Sequence, residues 1–131
     1  MIFLDTGYLK GLFDKNDVHH QDALKINEFL DALNETTVIN TTVLVETLNW
    51  SVGTNDDLNE LYDNLHAENN VIQLTDNDYS KSLEINGWYG NSINYSDCTI
   101  INTMINMGIR SIVSFDNDFK KIKALNVISS I

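Results

Sequence analysis

Four acidic residues occupy positions from which carboxylates can do chemistry. Asp5 closes the apolar run Met1–Leu4, and Asp116 closes Ser111–Phe115. Asp97 follows Ser96 at what reads as the start of a helix, and Glu46 interrupts the apolar series Val43, Leu44, Val45 and Leu48. In an open parallel sheet, an acid just past a strand points into the crevice where such sheets bind their ligands. A first-turn acid has backbone N–H groups and the helix dipole behind it, which should keep Asp97 ionised at neutral pH. A charge among apolar neighbours, as at Glu46, is costly unless it reaches a cation or a solvated cleft. Each acid taken alone could merely cap a helix. If all four converge, repulsion forces protons onto some of them unless cations intervene. The chain carries 8 Lys and Arg against 19 Asp and Glu, too few nearby to pair them all. Hard divalent cations that accept carboxylate and water oxygens, Mg²⁺ or Mn²⁺, meet that need and equip a site for phosphoryl transfer.

Such a cage requires strands that deliver the acids to one edge of the fold. Met1–Leu4 reads as a buried strand followed by a turn at Thr6-Gly7, and Thr37–Asn40 and Val71–Leu74 read as further strands. Asp17 is placed to cap a helix over 18–33, in which Ala23, Ile26, Phe29, Leu30 and Leu33 recur at helical spacing. Thr41 or Thr42 opens a helix through Glu46 to Trp50, with Trp50 in the core, and Thr54 or Asn55 opens another carrying Leu58, Leu61, Tyr62 and Leu65. Thr75 and Asp78 have capping-box spacing for a helix to about Ile85, and 86–91 is rich in loop-forming residues. Ser96 caps a helix to Met107 that Gly108 terminates. Ser111–Phe115 is a strand, followed by a turn at Asp116-Asn117, a helical turn or two, and a last strand near Val127-Ile128. Continuously apolar strands alternating with helices define an α/β class: a mostly parallel central sheet with helices on both faces.

The residues that carry these features resemble the four motifs of PIN-domain ribonucleases, in order and over nearly the whole chain. They are Ile2-Phe3-Leu4-Asp5-Thr6, Thr42-Val43-Leu44-Val45-Glu46, the segment from Ile93 through Ser96-Asp97-Cys98 to Ile101, and Ser111-Ile112-Val113-Ser114-Phe115-Asp116-Asn117-Asp118-Phe119. The similarity is greatest to the small prokaryotic type that includes VapC toxins. It implies a Rossmann-like fold and a Mg²⁺ or Mn²⁺ site whose principal ligands are Asp5 and Asp97. Asp116 and Glu46 complete that site, and Thr6 and Ser114 orient the acids by hydrogen bonds. The implied activity is endonucleolytic cleavage of single-stranded or structured RNA, leaving a 5′-phosphate and a 3′-hydroxyl. A homodimer and a small antitoxin whose basic segment fills the acidic groove are the implied partners. Ser114 stands where the family more often has threonine, and Asp118 reads as a surface acid, not a ligand.

A chain of 131 residues with 43% hydrophobic and 21% charged residues reads as a single globular domain, 1–131. The first apolar run meets Asp5 before a signal-peptide core could form, so the expected location is cytoplasmic, without a membrane span. One cysteine, Cys98, excludes an internal disulfide and a cysteine zinc cluster, and it reads as a packed residue. His19, His20 and His66 read as ordinary surface or helix-end histidines. The net charge of −11 opposes nonspecific nucleic-acid binding. Arg110, Lys120, Lys121 and Lys123 hold half of the basic residues in one stretch, expected beside Asp116 as a substrate-binding strip. Trp88 and Tyr89 are candidates for stacking on RNA or a partner. Two other functions stay open. One is an Asp-dependent phosphatase or receiver, although Asp5-Thr6-Gly7-Tyr8 lacks the second phosphatase aspartate. The other is a non-catalytic module that holds a basic peptide in a metal-stabilised groove.

Overall fold

In the computed structural model, which describes residues 1–51 and 53–131, five strands form one parallel sheet in the order β3-β2-β1-β4-β5. They are β1 (Ile2–Leu4), β2 (Thr37–Asn40), β3 (Asn70–Ile72), β4 (Ser111–Val113) and β5 (Asn126–Ile128). The central strands carry unbroken apolar residues because both of their faces are covered: Phe3, Val38, Ile39, Ile112 and Val113 are fully buried. The outer strands β3 and β5 are only half-buried, so Val71–Leu74, read as a buried strand, is an edge strand that ends at Ile72. The register aligns Leu4 of β1 with Val113 of β4, so the two strands end level with each other. The α/β class with a parallel sheet is therefore as expected.

Six α-helices connect the strands: α1 (Thr6–Phe13), α2 (His20–Leu33), α3 (Thr41–Trp50), α4 (Asn55–Glu68), α5 (Asp76–Trp88) and α6 (Tyr95–Met107). A 3₁₀ turn, Asn117–Lys121, follows β4. The connections through α1–α2 and α3–α4 step toward β3, whereas α5–α6 steps back across to β4. With right-handed crossovers, opposite steps place their helices on opposite faces of the sheet. None of these helices is long and apolar enough to cross a membrane.

Several boundaries differ from the sequence reading, each for a local reason. Thr6 and Gly7 do not turn the chain; they open α1, because the Asp5 carboxylate accepts the Thr6 N–H at 2.8 Å and caps the helix. Asp17 does not cap α2. It accepts the His19 N–H at 2.8 Å inside the preceding turn, and the helix begins at His20. Asn94, not Ser96, caps α6, through its side-chain oxygen and the Asp97 N–H at 2.9 Å. Helix α5 runs one turn past Ile85, and the chain reverses at Gly90 and Asn91, both at positive φ. Gly108 ends α6 in the left-handed conformation that favours glycine, as expected. Trp50 is half-buried at the end of α3, outside the core, with the Lys10 ammonium 5.4 Å from its ring centroid.

Candidate metal centre

Because the strand order reverses between β1 and β4, a crevice opens at their carboxyl ends, and these strands hand over to Asp5 and to Ser114–Asp116. Asp5 is nearly buried. Its Oδ1 accepts from the Thr6 N–H, and its Oδ2 accepts from the Ser114 hydroxyl at 2.7 Å. The same Ser114 oxygen accepts the Asp116 N–H at 3.0 Å, so one side chain aligns the ends of both strands. Glu46, from the middle of α3, accepts from the Thr6 hydroxyl at 3.0 Å. Asp97 comes from the first turn of α6. Asp5, Glu46, Asp97 and Asp116 all line one cleft of about 460 Å³.

Asp97, Asp116 and Asp118 each offer a carboxylate oxygen within 4.8 Å of the others. Asp118, which reads in sequence as a surface acid, is brought in by the 3₁₀ turn, where Asp116 Oδ1 accepts the Asp118 N–H at 2.9 Å. Asp5 and Glu46 stand outside this trio but in the same cleft. The electrostatics reverse one expectation. Asp97 is not kept ionised by its helix: burial, then the nearby Asp5 and Asp116 carboxylates and Asp118, push its pKa up to about 8. Burial also raises Asp5 to about 6, with Asp116 and Glu46 adding to it, against the lowering effect of the Ser114 and Thr6 bonds. The first-turn dipole is a half-charge effect screened by water, and it loses to burial among like charges.

These residues fit a hard divalent cation. Asp97 Oδ2 is buried without a hydrogen-bond partner among the described residues, an arrangement that costs roughly 1–3 kcal/mol unless something fills it. Asp97 offers a carboxylate oxygen to the same site as two further carboxylates, and the donor set is all oxygen, which suits Mg²⁺ or Mn²⁺ and not softer metals. His20 and His66 spend a ring nitrogen on the carbonyls of Gly11 (2.7 Å) and Tyr62 (2.9 Å), away from the acids.

The basic strip is dispersed, and among the described residues only Lys121 of its four is paired with one of the acids. Lys121 pairs with Asp118 at 2.8 Å and donates to the Ser92 carbonyl at 3.2 Å. Arg110 precedes β4, at the end of that strand opposite the acids, and borders an apolar hollow with Tyr89 and Ile105. Lys120 and Lys123 are exposed on the 3₁₀ turn and just after it. The basic side chains that do line the acidic cleft are Lys10, on α1, and His19, before α2. Both escape a reading based on motifs, since His19 reaches the cleft by packing on Phe115 and Lys10 by the course of α1. Trp88, 70% exposed at the end of α5, and half-buried Tyr89 lie outside the cleft.

A parallel sheet in this strand order, with acids collected past the carboxyl ends at its switch point, defines a Rossmann-like α/β protein with an acidic ligand site. Within that class, the chain belongs to the PIN domain family, whose model matches residues 2–125. Among solved structures it is similar to VapC20 of Mycobacterium tuberculosis, a sarcin-ricin loop cleaving toxin (23% identity, TM-score 0.73, 92% of this chain and 94% of that one). It is also similar to VapBC2 of Rickettsia felis bound to a promoter DNA fragment (21% identity, TM-score 0.70, 98% of each chain). A third similar structure is FitAcB of Neisseria gonorrhoeae (15% identity, TM-score 0.68, 98% and 97%). No curated protein matches the sequence.

Proposed function

We propose that this protein is a divalent-metal-dependent endoribonuclease that hydrolyses phosphodiester bonds of RNA to 5′-phosphate and 3′-hydroxyl ends, and that it acts as the toxin of a toxin–antitoxin pair. The observation that carries this is Asp97, whose buried Oδ2 has no hydrogen-bond partner among the described residues, grouped with Asp116 and Asp118 and lining one cleft with Asp5, Glu46 and Asp116. The similarity to VapC20, itself a toxin, supports the same function.

Asp97, Asp116 and Asp118 would hold the ion, with Asp5 and Glu46 beside it. When bound, Mg²⁺ or Mn²⁺ supplies charge stabilisation to the phosphodiester and lowers the pKa of water. The chain supplies the rest. Ser114 and the Thr6 N–H fix both oxygens of Asp5, and Thr6 fixes Glu46, so the carboxylates are oriented before substrate arrives. The raised pKa of Asp97 means that, without a cation, this group holds a proton near neutral pH, which it would have to give up to serve as a ligand. No nucleophilic side chain is required. The net charge of −11 repels free RNA and attracts a basic segment of a small partner protein, which suits inhibition by an antitoxin that fills the cleft.

The test is incubation of purified protein with end-labelled single-stranded RNA in Mn²⁺ or in EDTA. Cleavage in Mn²⁺ alone, with a phosphate on the new 5′ end, is the expected result. Cleavage that persists in EDTA, or none in Mn²⁺, rejects the nuclease, and the second case would leave a non-catalytic module for a basic peptide.

A further inference from the structure

The cleft has two chemically different walls. In the same cleft as the carboxylates, the ring of His19 lies flat on the ring of Phe115, with centroids 4.2 Å apart and planes 10° from parallel. Both rings line the cleft, and so does Val18, whose side chain is 89% exposed. An apolar side chain left in water beside a half-buried aromatic pair is surface with no partner inside this chain. Neither ring nitrogen of His19 has a hydrogen-bond partner among the described residues, so stacking and not polar anchorage holds the ring.

Phe115 also stands between Ser114, which orients Asp5, and Asp116, so one peptide bond joins the stack to an acid on one side and to an acid's hydrogen-bond donor on the other. A phosphodiester held at the carboxylates has its own nucleoside within reach of that wall. We infer that the His19–Phe115 pair, edged by Val18, is a stacking platform for one nucleobase next to the scissile phosphate. This deepens the nuclease function proposed above and rests on it.

Stacking between a base and an aromatic ring tolerates any base but strengthens with the size of its π-face, so the platform should favour a purine without requiring one. The supporting Phe115 has a second function here. It fixes the imidazole plane in advance, so that little side-chain freedom is lost when the base arrives. Lys10, at the same cleft, is 3.8 Å from Asp17 and is the ammonium available to a neighbouring phosphate.

The experiment uses the full chain with Asp97→Asn, so that RNA is bound and not cut, in Ca²⁺. Short single-stranded RNAs carry the fluorescent base 2-aminopurine at successive positions, and total binding is followed separately by anisotropy of an end label. One position should be strongly quenched on binding. His19→Ala and His19→Gln should abolish that quench and weaken binding on the order of tenfold, the effect typical of losing one base–aromatic stack. His19→Phe should restore both. Circular dichroism confirms that each variant is folded. Equal quenching in His19→Ala, or a quench that His19→Phe fails to restore, overturns the platform while leaving the nuclease in place. Absence of RNA binding by the His19-containing protein, together with absence of cleavage by the unsubstituted chain in Mn²⁺, overturns the nuclease and the platform with it.

Discussion

Asp97 is the residue on which the proposed chemistry and the stability of this protein conflict. Its carboxylate is buried among like charges, so it costs folding free energy whenever it is ionised without a cation. Asp97→Asn removes that charge while keeping the shape. The expected outcome is loss of Mn²⁺-dependent cleavage by more than about a hundredfold, beyond what loss of an orienting neighbour alone does. At pH 8 in EDTA, the same substitution should raise the melting temperature by about 3–5 °C, equivalent to roughly 1 kcal/mol for a chain of this size. Ser114→Ala should act in the milder range. Asp5 loses its side-chain donor, and apparent metal affinity or cleavage rate should fall about 10- to 100-fold, measurable by Mn²⁺ titration. At this scale the sequence was informative about which acids share a cleft, Asp5, Glu46, Asp97 and Asp116, since strand-end and helix-start positions are legible from local pattern. It misjudged the ionisation of Asp97, which depends on burial and on neighbours distant in sequence. It read Asp118 as a surface acid and His19 as a surface or helix-end histidine, because their places depend on how one turn packs.

At the scale of elements, Asn40 does more than a strand residue or a cap. Its Oδ1 accepts the Val43 N–H at 3.1 Å and caps α3, the helix that carries Glu46. Its amide nitrogen donates to the Thr99 carbonyl at 3.3 Å and the Thr103 hydroxyl at 3.1 Å, on the helix that carries Asp97. Fully buried, it ties β2, α3 and α6 together at the level of the acids. Asn40→Ala should therefore destabilise the fold by about 2–3 kcal/mol, the sum of a lost cap and unsatisfied buried partners, read from the urea midpoint. Asn40→Asp should not rescue it, because a carboxylate can cap but has no N–H for Thr99. The strand positions, the capping box at Thr75 and Asp78 and the Gly108 stop were readable because each depends on residues within one turn. Helix α1 was not. Its two glycines weaken helical propensity, and only the Asp5 cap and its packing against α2 and α3 hold it.

For the whole molecule, the two raised carboxyl pKa values set the direction of its pH response. Asp5 and Asp97 bind protons more tightly folded than unfolded, with values of about 6 and about 8 against an ordinary 3.8. Their contribution to stability is complete below about pH 4 and is lost as pH rises first through 6 and then through 8. Asp78 acts in the opposite sense. Hydrogen bonds, led by the Thr75 N–H, lower its pKa, so its contribution is lost only in stronger acid. Self-repulsion at a net charge of −11 reinforces the loss at high pH. The melting temperature in EDTA should thus fall between pH 5 and pH 8, and millimolar Mg²⁺ or Mn²⁺ should restore most of it at pH 8 and little at pH 5. Differential scanning fluorimetry in the two buffers checks this; a melting temperature that rises steadily with pH would mean that the carboxylates do not share one buried cleft.

The pairing of β1 with β4 has a consequence for how the protein is made. Residues 2–4 are translated well before their neighbour in the sheet, residues 111–113. Until that partner emerges, Asp5 has neither Ser114 to hold it nor Asp116 beside it. At about 5–20 residues per second, several seconds pass in which the growing polypeptide has no assembled centre. The proposed chemistry therefore has no site until residues 111–116 have emerged, and a partner already present would meet the centre as it first forms.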